Sequence, residues 1–349
     1  MSRVLLTHPA RDRGYFFGDD AVDRLREVAE VILNESEERL ADADLLRLAP
    51  DCEVIVSEWW TGAGARVFAE NPSLLAFVRC GVEIRNVDLG AATREGVLVV
   101  RTTPTPIAAP VAEYTIGVML MLSREIEALS SKVRSGSLRR SYDVAVTEGR
   151  IPRVYPGFSL AGEVLGVVGL GAVGRRVATL ANVLGMRVLA TDPYHEGGIE
   201  GVAMVALDDL LREARVVSLH AELNAQTRHM IGARELRLMR SDALLVNTAR
   251  GALVDNGALA EALHQRRIAG AGLDVFEDEP DFSSNPLMDC DNVVLTPHTA
   301  GLTRRGIREQ AGRCVEIVAG ILAGRMPDRL ANPEVAPRAR LNRMRPEQS

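Results

Sequence analysis

The run Val164-Leu-Gly-Val-Val-Gly169-Leu-Gly171-Ala-Val-Gly174-Arg sets the spacing GxGxxG between a β-branched strand pattern and an amphipathic helix pattern. That combination suits the pyrophosphate of a dinucleotide. Gly169 would make the tight turn, Gly171 would let backbone reach the phosphates, and Gly174 would let the next helix lie close to the sheet. The N–H groups around Ala172 and Val173, at the positive end of that helix, would hold the phosphates. Asp192 closes the following predicted strand, 18 residues past Gly174. A carboxylate there accepts hydrogen bonds from the adenosine ribose and repels an added 2′-phosphate. Pro193 and Tyr194 follow it, not an arginine, so NAD is expected over NADP.

Three more segments end predicted strands on polar residues, at the edge where open α/β sheets bind ligands. They are Leu244-Leu-Val-Asn-Thr-Ala-Arg250-Gly, Ala271-Gly-Leu-Asp274-Val-Phe-Glu-Asp-Glu279-Pro and Val294-Leu-Thr-Pro-His298-Thr-Ala-Gly301. Taken singly, such residues are ordinary turn and surface groups; together on one dinucleotide-binding sheet they are a candidate site. His220 ends Val217-Ser-Leu-His220 and either lines the ligand cleft or simply terminates its strand. His8, His195, His229 and His264 read as structural or solvated.

The elements that must position these groups alternate along the chain. Strand patterns fall at Val164 to Val168, Arg187 to Thr191, Val216 to His220, Ala243 to Asn247, Gly272 to Phe276 and Val293 to Thr296. Helix patterns fall between them, at Val173 to Leu184, Leu207 to Ala214, Ala233 to Met239 and Gly257 to Gln265. Strands that are apolar throughout and separated by helices predict a parallel sheet covered on both faces. The first hundred residues repeat this at Val4 to Leu6, Glu53 to Val56, Leu75 to Val78 and Val97 to Val100. The prolines of Thr102 to Pro110 predict an irregular, stiff domain crossing. Val111 to Leu129 reads as one long apolar helix, Arg134 to Pro156 as a polar excursion without period, and Arg304 to Ala323 as a helix returning to the first domain.

With these motifs in this order, the chain resembles the D-isomer-specific 2-hydroxyacid dehydrogenase family from about residue 45 to about 335. Thr248-Ala-Arg250-Gly, Asp274-Val-Phe, Glu279-Pro and Pro297-His298 carry the resemblance. It implies an α/β architecture of two doubly wound domains. A Rossmann-type NAD domain, 107–300, is inserted into a discontinuous, flavodoxin-like substrate domain, 1–106 and 301–349. It further implies hydride transfer between nicotinamide and a 2-oxo acid, with His298 as acid/base. Glu279 would stabilise its imidazolium, and Arg250 would offer a fork of donors to the substrate's carboxylate and carbonyl. Asp274 is implied beside the nicotinamide, and His220, Thr248 and Gly301 along the cofactor. The active site would lie in the interdomain cleft, with hinges near Ile107 and Ala300. A homodimer through Val111 to Leu129 is implied as well. NAD-sensing corepressors of the same fold keep the same Arg, Glu and His, and form the alternative.

The family's substrate loop usually reads like Gly-x-Gly-x-Asp-Asn-x-Asp; here it runs Gly81-Val82-Glu83-Ile84-Arg85-Asn86-Val87-Asp88. Gly81, Val82 and Arg85 are its candidate substrate contacts. Glu83 and Arg85 either pair and re-brace the loop, or Arg85 binds a second anionic group such as carboxylate, phosphate or phosphonate. Trp59 and Trp60 either wall the pocket or are structural. In a relative that oxidises formate, Gln would stand at Glu279; in one that oxidises phosphite, Lys would stand at Val82.

The totals agree with a folded enzyme. The 349 residues call for two domains, and 47% hydrophobic with 25% charged residues suits packed cores. A net charge of -6 offers nothing to a polyanion such as nucleic acid, and the basic run Arg338, Arg340, Arg343, Arg345 reads as a solvated tail. Four scattered cysteines lack zinc spacing, so no metal is expected and a reducing, cytoplasmic setting is. The longest uncharged apolar stretch, Ile116 to Leu122, is too short to span a membrane. A small anionic molecule is the expected partner.

Overall fold

A computed structural model describes residues 1–102, 105–138, 157–194, 199–277, 279 and 281–344. The chain divides into two compact units, Met1–Pro106 with Thr303–Ser349, and Ile107–Leu302.

The discontinuous unit holds five parallel strands: β1 (Arg3–Leu6), β2 (Glu30–Leu33), β3 (Val54–Ser57), β4 (Ala76–Arg79) and β5 (Leu98–Arg101), in the order β2-β1-β3-β4-β5. Alternation of side chains feeds two cores. Val4, Leu6, Val54, Val56, Val78 and Val100 pack with Cys314, Val315 and Val318 of the helix Arg304–Leu322, while Leu5, Ile55, Phe77 and Val99 line the other face. Strands with consecutive apolar residues at their inner positions follow, because helices cover both faces.

The second unit holds seven parallel strands: β6 (Val164–Val168), β7 (Arg187–Thr191), β8 (Val202–Met204), β9 (Val216–Leu219), β10 (Leu244–Asn247), β11 (Gly270–Leu273) and β12 (Val293–Leu295). Their order is β12-β11-β10-β9-β6-β7-β8. The order reverses at β6, which lies between β9 and β7, so the crevice beyond the ends of β6 and β9 is the expected ligand position of a doubly wound sheet.

Several expectations need correcting. Helix begins at Thr105 and continues through Pro110 to Ser123, where the prolines predicted irregular chain. A first turn loses nothing to a missing N–H, and Pro110, one turn on, removes a single ladder bond from a helix whose far half packs in the core. The single helix expected over Val111 to Leu129 is two, Thr105–Ser123 and Ile126–Arg134, separated where Glu125 takes a left-handed φ of 51°. Sequence patterning missed β2 and β8, the short edge strands; β2 carries the apolar run Val31-Ile32-Leu33, a signal that was available, whereas β8 is three residues long and mostly exposed.

The strand expected at Gly272 to Phe276 begins two residues earlier and ends three earlier, at Gly270–Leu273. Its small residues are what the packing demands, since a Cβ on Gly272 would come 2.3 Å from Val118 of the helix Thr105–Ser123. In the basic C-terminal run Arg338 is exposed, as a solvated tail would be, but Arg340 is not. Arg340 is 11% exposed and donates to the carbonyls of Asn71, Leu74 and Phe68, and Leu341 is fully buried. Most of the excursion over Arg134 to Pro156 lies outside the described residues, as do His195 and Arg345. Among the described residues no helix is long and apolar enough to cross a membrane.

Candidate active site

Beyond β6 the chain turns at Gly169, whose φ of 95° belongs to glycine, and a Cβ there would meet the backbone of Ala221 and His220 at 2.7–2.8 Å. Gly174 is tighter still, with a Cβ position 2.0 Å from the Gly169 carbonyl oxygen, so the helix Ala172–Val183 rests directly on the turn. Gly171 differs: a Cβ would meet nothing within 4 Å. The turn is thus open on the side of Gly171. Ala172, Val173 and Gly174 open the helix with N–H groups that have no partner inside it, and Gly171 supplies no side-chain cap. These residues fit a pyrophosphate.

Asp192 is joined to the same turn. Its Oδ2 accepts the N–H of Leu170 at 2.7 Å and its Oδ1 the N–H of Tyr194 at 2.9 Å. Each oxygen keeps a lone pair for a ribose hydroxyl. His220 follows β9 and touches this turn through its backbone and Cβ. Its Nε2 lies 2.8 Å from the Ser218 hydroxyl, and burial pushes the imidazole down to about 3. His220 is therefore neutral at physiological pH and is no rival for proton transfer.

That shift has a stability consequence. An unfolded histidine takes up its proton near 6.5 while folded His220 resists until about 3, so its contribution is complete above 6.5 and lost as pH falls toward 3. His220→Asn should flatten the fall in Tm between about pH 7 and pH 5. Parallel Tm profiles for variant and wild type would refute this.

At the ends of β10, β11 and β12 the other candidates converge. His298 Nδ1 donates to Glu279 Oε2 at 2.6 Å, and Glu279 Oε1 accepts the Phe276 N–H at 2.7 Å. Glu279 is 13% exposed and His298 39%. His298 takes a left-handed φ of 55°, a conformation that costs a non-glycine residue energy and must be imposed by its surroundings. Asp274, 1% exposed, imposes it. Its carbonyl accepts the His298 N–H, its Oδ1 accepts the Thr296 hydroxyl (2.7 Å) and the Thr299 N–H (2.9 Å), and its Oδ2 accepts the Ala300 N–H (2.8 Å).

Arg250 sits in the turn after β10, with Nη1 donating to the Ala249 carbonyl. The buried Asn247 side chain clasps that turn, donating to the Arg250 carbonyl at 2.9 Å and accepting from the Ala249 N–H at 3.1 Å. Gly251 presses on the loop of Glu279, since its Cβ would fall 2.0 Å from the Phe276 carbonyl carbon. The Arg250 turn is thereby tied to the Glu279 and His298 loops. Thr248 is buried and its hydroxyl lies 2.8 Å from that of Thr115, while Gly301 packs on Ile107 and Val111. Asn247, Thr296 and Thr115 escaped the sequence reading; for Asn247 and Thr296 a polar residue closing an apolar strand was the available signal, while Thr115 lies within the helix Thr105–Ser123 and offered none.

The loop after β4, on the discontinuous unit, is braced from inside. Fully buried Arg79 donates to the Glu58 carbonyl and to Asn86 Oδ1, and burial lowers its guanidinium to about 10. Asn86 Nδ2 donates in turn to the carbonyls of Trp59 and Trp60. Glu83 Oε1 accepts the N–H groups of Ile84 and Arg85 and lies 3.0 Å from Arg85 Nε. Glu83 and Arg85 therefore pair. The Trp59 indole covers Gly81, where a Cβ would fall 2.5 Å from the ring, and Trp60 is half exposed under the guanidinium of Arg39. Val82 is partly buried, and its carbonyl accepts a long bond from Arg101 (3.4 Å).

Comparison with known proteins gives the same outline. Residues 116–300 match the family described as D-isomer specific 2-hydroxyacid dehydrogenase, NAD binding domain. A D-3-phosphoglycerate dehydrogenase of Methanocaldococcus jannaschii is 33% identical over 99% of this chain, which spans 62% of that relative's length. A glyoxylate reductase of Korarchaeum cryptofilum is 33% identical over 95% of this chain and 96% of its own. Among solved structures, the TT0316 protein of Thermus thermophilus superposes with a TM-score of 0.80 at 32% identity, covering 94% of this chain and 99% of that one.

Proposed function

Since this chain belongs to the D-isomer-specific 2-hydroxyacid dehydrogenase family and its cofactor is NAD, we propose that it interconverts a small 2-oxo acid and the D-2-hydroxy acid, with His298 as acid/base. The observation that carries this reading is the chain of bonds from Phe276 N–H through Glu279 to His298 Nδ1. It supports Nε2 as the nitrogen that exchanges the proton, because Nδ1 faces the carboxylate.

Gly169, Gly171, Ala172, Val173 and Gly174 would hold the pyrophosphate and Asp192 the adenosine ribose, with His220, Thr248, Asp274 and Gly301 nearer the nicotinamide end. Bound NADH supplies the hydride. Arg250 grips the substrate carboxylate and draws charge toward the carbonyl oxygen. His298 delivers a proton to that oxygen as it becomes an alkoxide, and Glu279 stabilises the imidazolium that gives it. Gly81 and Val82 belong to the substrate-binding loop. The relatives reported above carry enzyme names, which supports turnover over NAD sensing alone.

Within that loop the pairing of Glu83 with Arg85 supports bracing, so the favoured substrate carries one carboxylate. Relatives named for glyoxylate and for phosphoglycerate frame the choice between one anionic group and two. NADH oxidation with a panel of mono- and dianionic 2-oxo acids tests both points. Arg85→Ala should lower kcat/KM by the same factor, about two- to three-fold, on all of them, as loss of an exposed pair does. A loss confined to dianions would assign Arg85 to a second anionic group instead, and no turnover with any oxo acid would sink the proposal.

A further inference from the structure

The discontinuous unit carries a cleft lined by none of the catalytic or cofactor residues proposed above. The end of β5, the latter half of the helix Arg304–Leu322 and the segment 325–329 enclose an open cleft of about 520 Å3. That volume falls in the range of small-molecule sites, roughly 300–1,000 Å3. Four arginines line it, Arg101, Arg313, Arg325 and Arg329, against two acidic residues, Glu316 and Asp328. Ile317 and Met326 supply apolar wall between them.

Arg101 is engaged by the Val82 carbonyl, so the positive excess of the cleft rests on Arg325 and Arg329. Arg313 pairs with Glu316 at 2.9 Å, but both side chains are more than half exposed, and such a pair holds its partners weakly. Among the described residues no ion pair joins Arg325 or Arg329 to a carboxylate. The chain as a whole is acidic at -6, so this excess of arginine is local, and salt confines its field to about 8 Å. It acts on what enters the cleft.

The backbone beneath these arginines is fixed. Leu330 bridges antiparallel to Val100, the Ala331 N–H donates to the Val99 carbonyl at 2.8 Å, and the Val99 N–H donates to Asn332 Oδ1 at 2.9 Å. The helix closes on Gly324 at φ 75°, where the Arg325 N–H returns to the Gly320 carbonyl at 2.9 Å. The guanidinium groups therefore stand on a rigid rim, and planar forks of this kind bind phosphate oxygens in pairs.

We propose that this cleft is a binding site for a small multiply charged anion of the phosphate-ester class. Inorganic pyrophosphate is the probe, titrated calorimetrically into the full chain at about 0.15 M salt. NAD is present at saturation, so that the turn Gly169 to Gly174 is already filled. One pyrophosphate should bind per chain with a Kd below about 1 mM, and acetate should not compete. Joint replacement Arg325→Ala and Arg329→Ala should weaken binding about ten-fold or more, while Asp328→Asn should tighten it. All three positions are exposed and lie outside the catalytic and cofactor groups, so kcat without pyrophosphate should stay unchanged. Failure of wild type to saturate by about 10 mM pyrophosphate, or equal affinity in the double variant, would overturn the site.

Discussion

Replacing His298 by alanine is expected to lower kcat for NADH-dependent oxo-acid reduction by about 10³-fold, within the span general acid catalysis contributes. The Kd for NADH should stay within about two-fold, because the phosphate turn and Asp192 lie on other loops than His298. Geometry sets both halves of this expectation. Glu279 engages one ring nitrogen at 2.6 Å and is itself held by the Phe276 N–H, so water entering the space of the lost ring finds no comparably oriented donor. The left-handed backbone at 298 is maintained by Asp274, so the alanine variant should keep its loop in place. A kcat within ten-fold of wild type, measured at saturating substrate, would show that another group carries the proton.

The second large effect is expected from one methyl group at Gly174. Gly174→Ala sets a Cβ 2.0 Å from the Gly169 carbonyl oxygen, a backbone atom that cannot rotate aside. Ordinary contact needs well over an ångström more, so the helix Ala172–Val183 must lift off the turn, carrying with it the N–H groups that would face the phosphates. A misplacement of about 1 Å costs on the order of 100-fold in a positioned interaction, so the Kd for NADH should rise by about that factor, with a lowered Tm. Gly171→Ala makes the contrast. Its Cβ meets no protein atom, so the fold should be untouched and only NADH affinity should fall. Equal NADH binding by wild type and Gly174→Ala would mean that the turn is not where the pyrophosphate sits.

The two substitutions probe features of different legibility. The glycine spacing, the strand before it and the helix after it are local, and local steric rules decide them, so sequence placed β6 to the residue. His298, Glu279 and Arg250 were visible as polar groups closing apolar strands. Their mutual geometry was not visible, because it depends on β10, β11 and β12 lying side by side in register.

By itself, the sequence determined the alternation of buried strands and helices, the dinucleotide turn and the residue types available for chemistry, since each follows from periodicity or backbone sterics over a few neighbours. Tertiary structure decided what distance in the chain conceals. It turned Asp274 into the clasp of the His298 loop, drew Arg340 out of a supposedly solvated tail into contact with Asn71 and Leu74, and paired Glu83 with Arg85. It also allowed helix through Pro110, where local preference forbade it. For Asp274, Arg340 and the helix through Pro110, a hydrogen bond or a buried surface from a remote segment outweighed the local tendency; Glu83 and Arg85 are near neighbours in the chain, and there the folded loop selected one of two local readings.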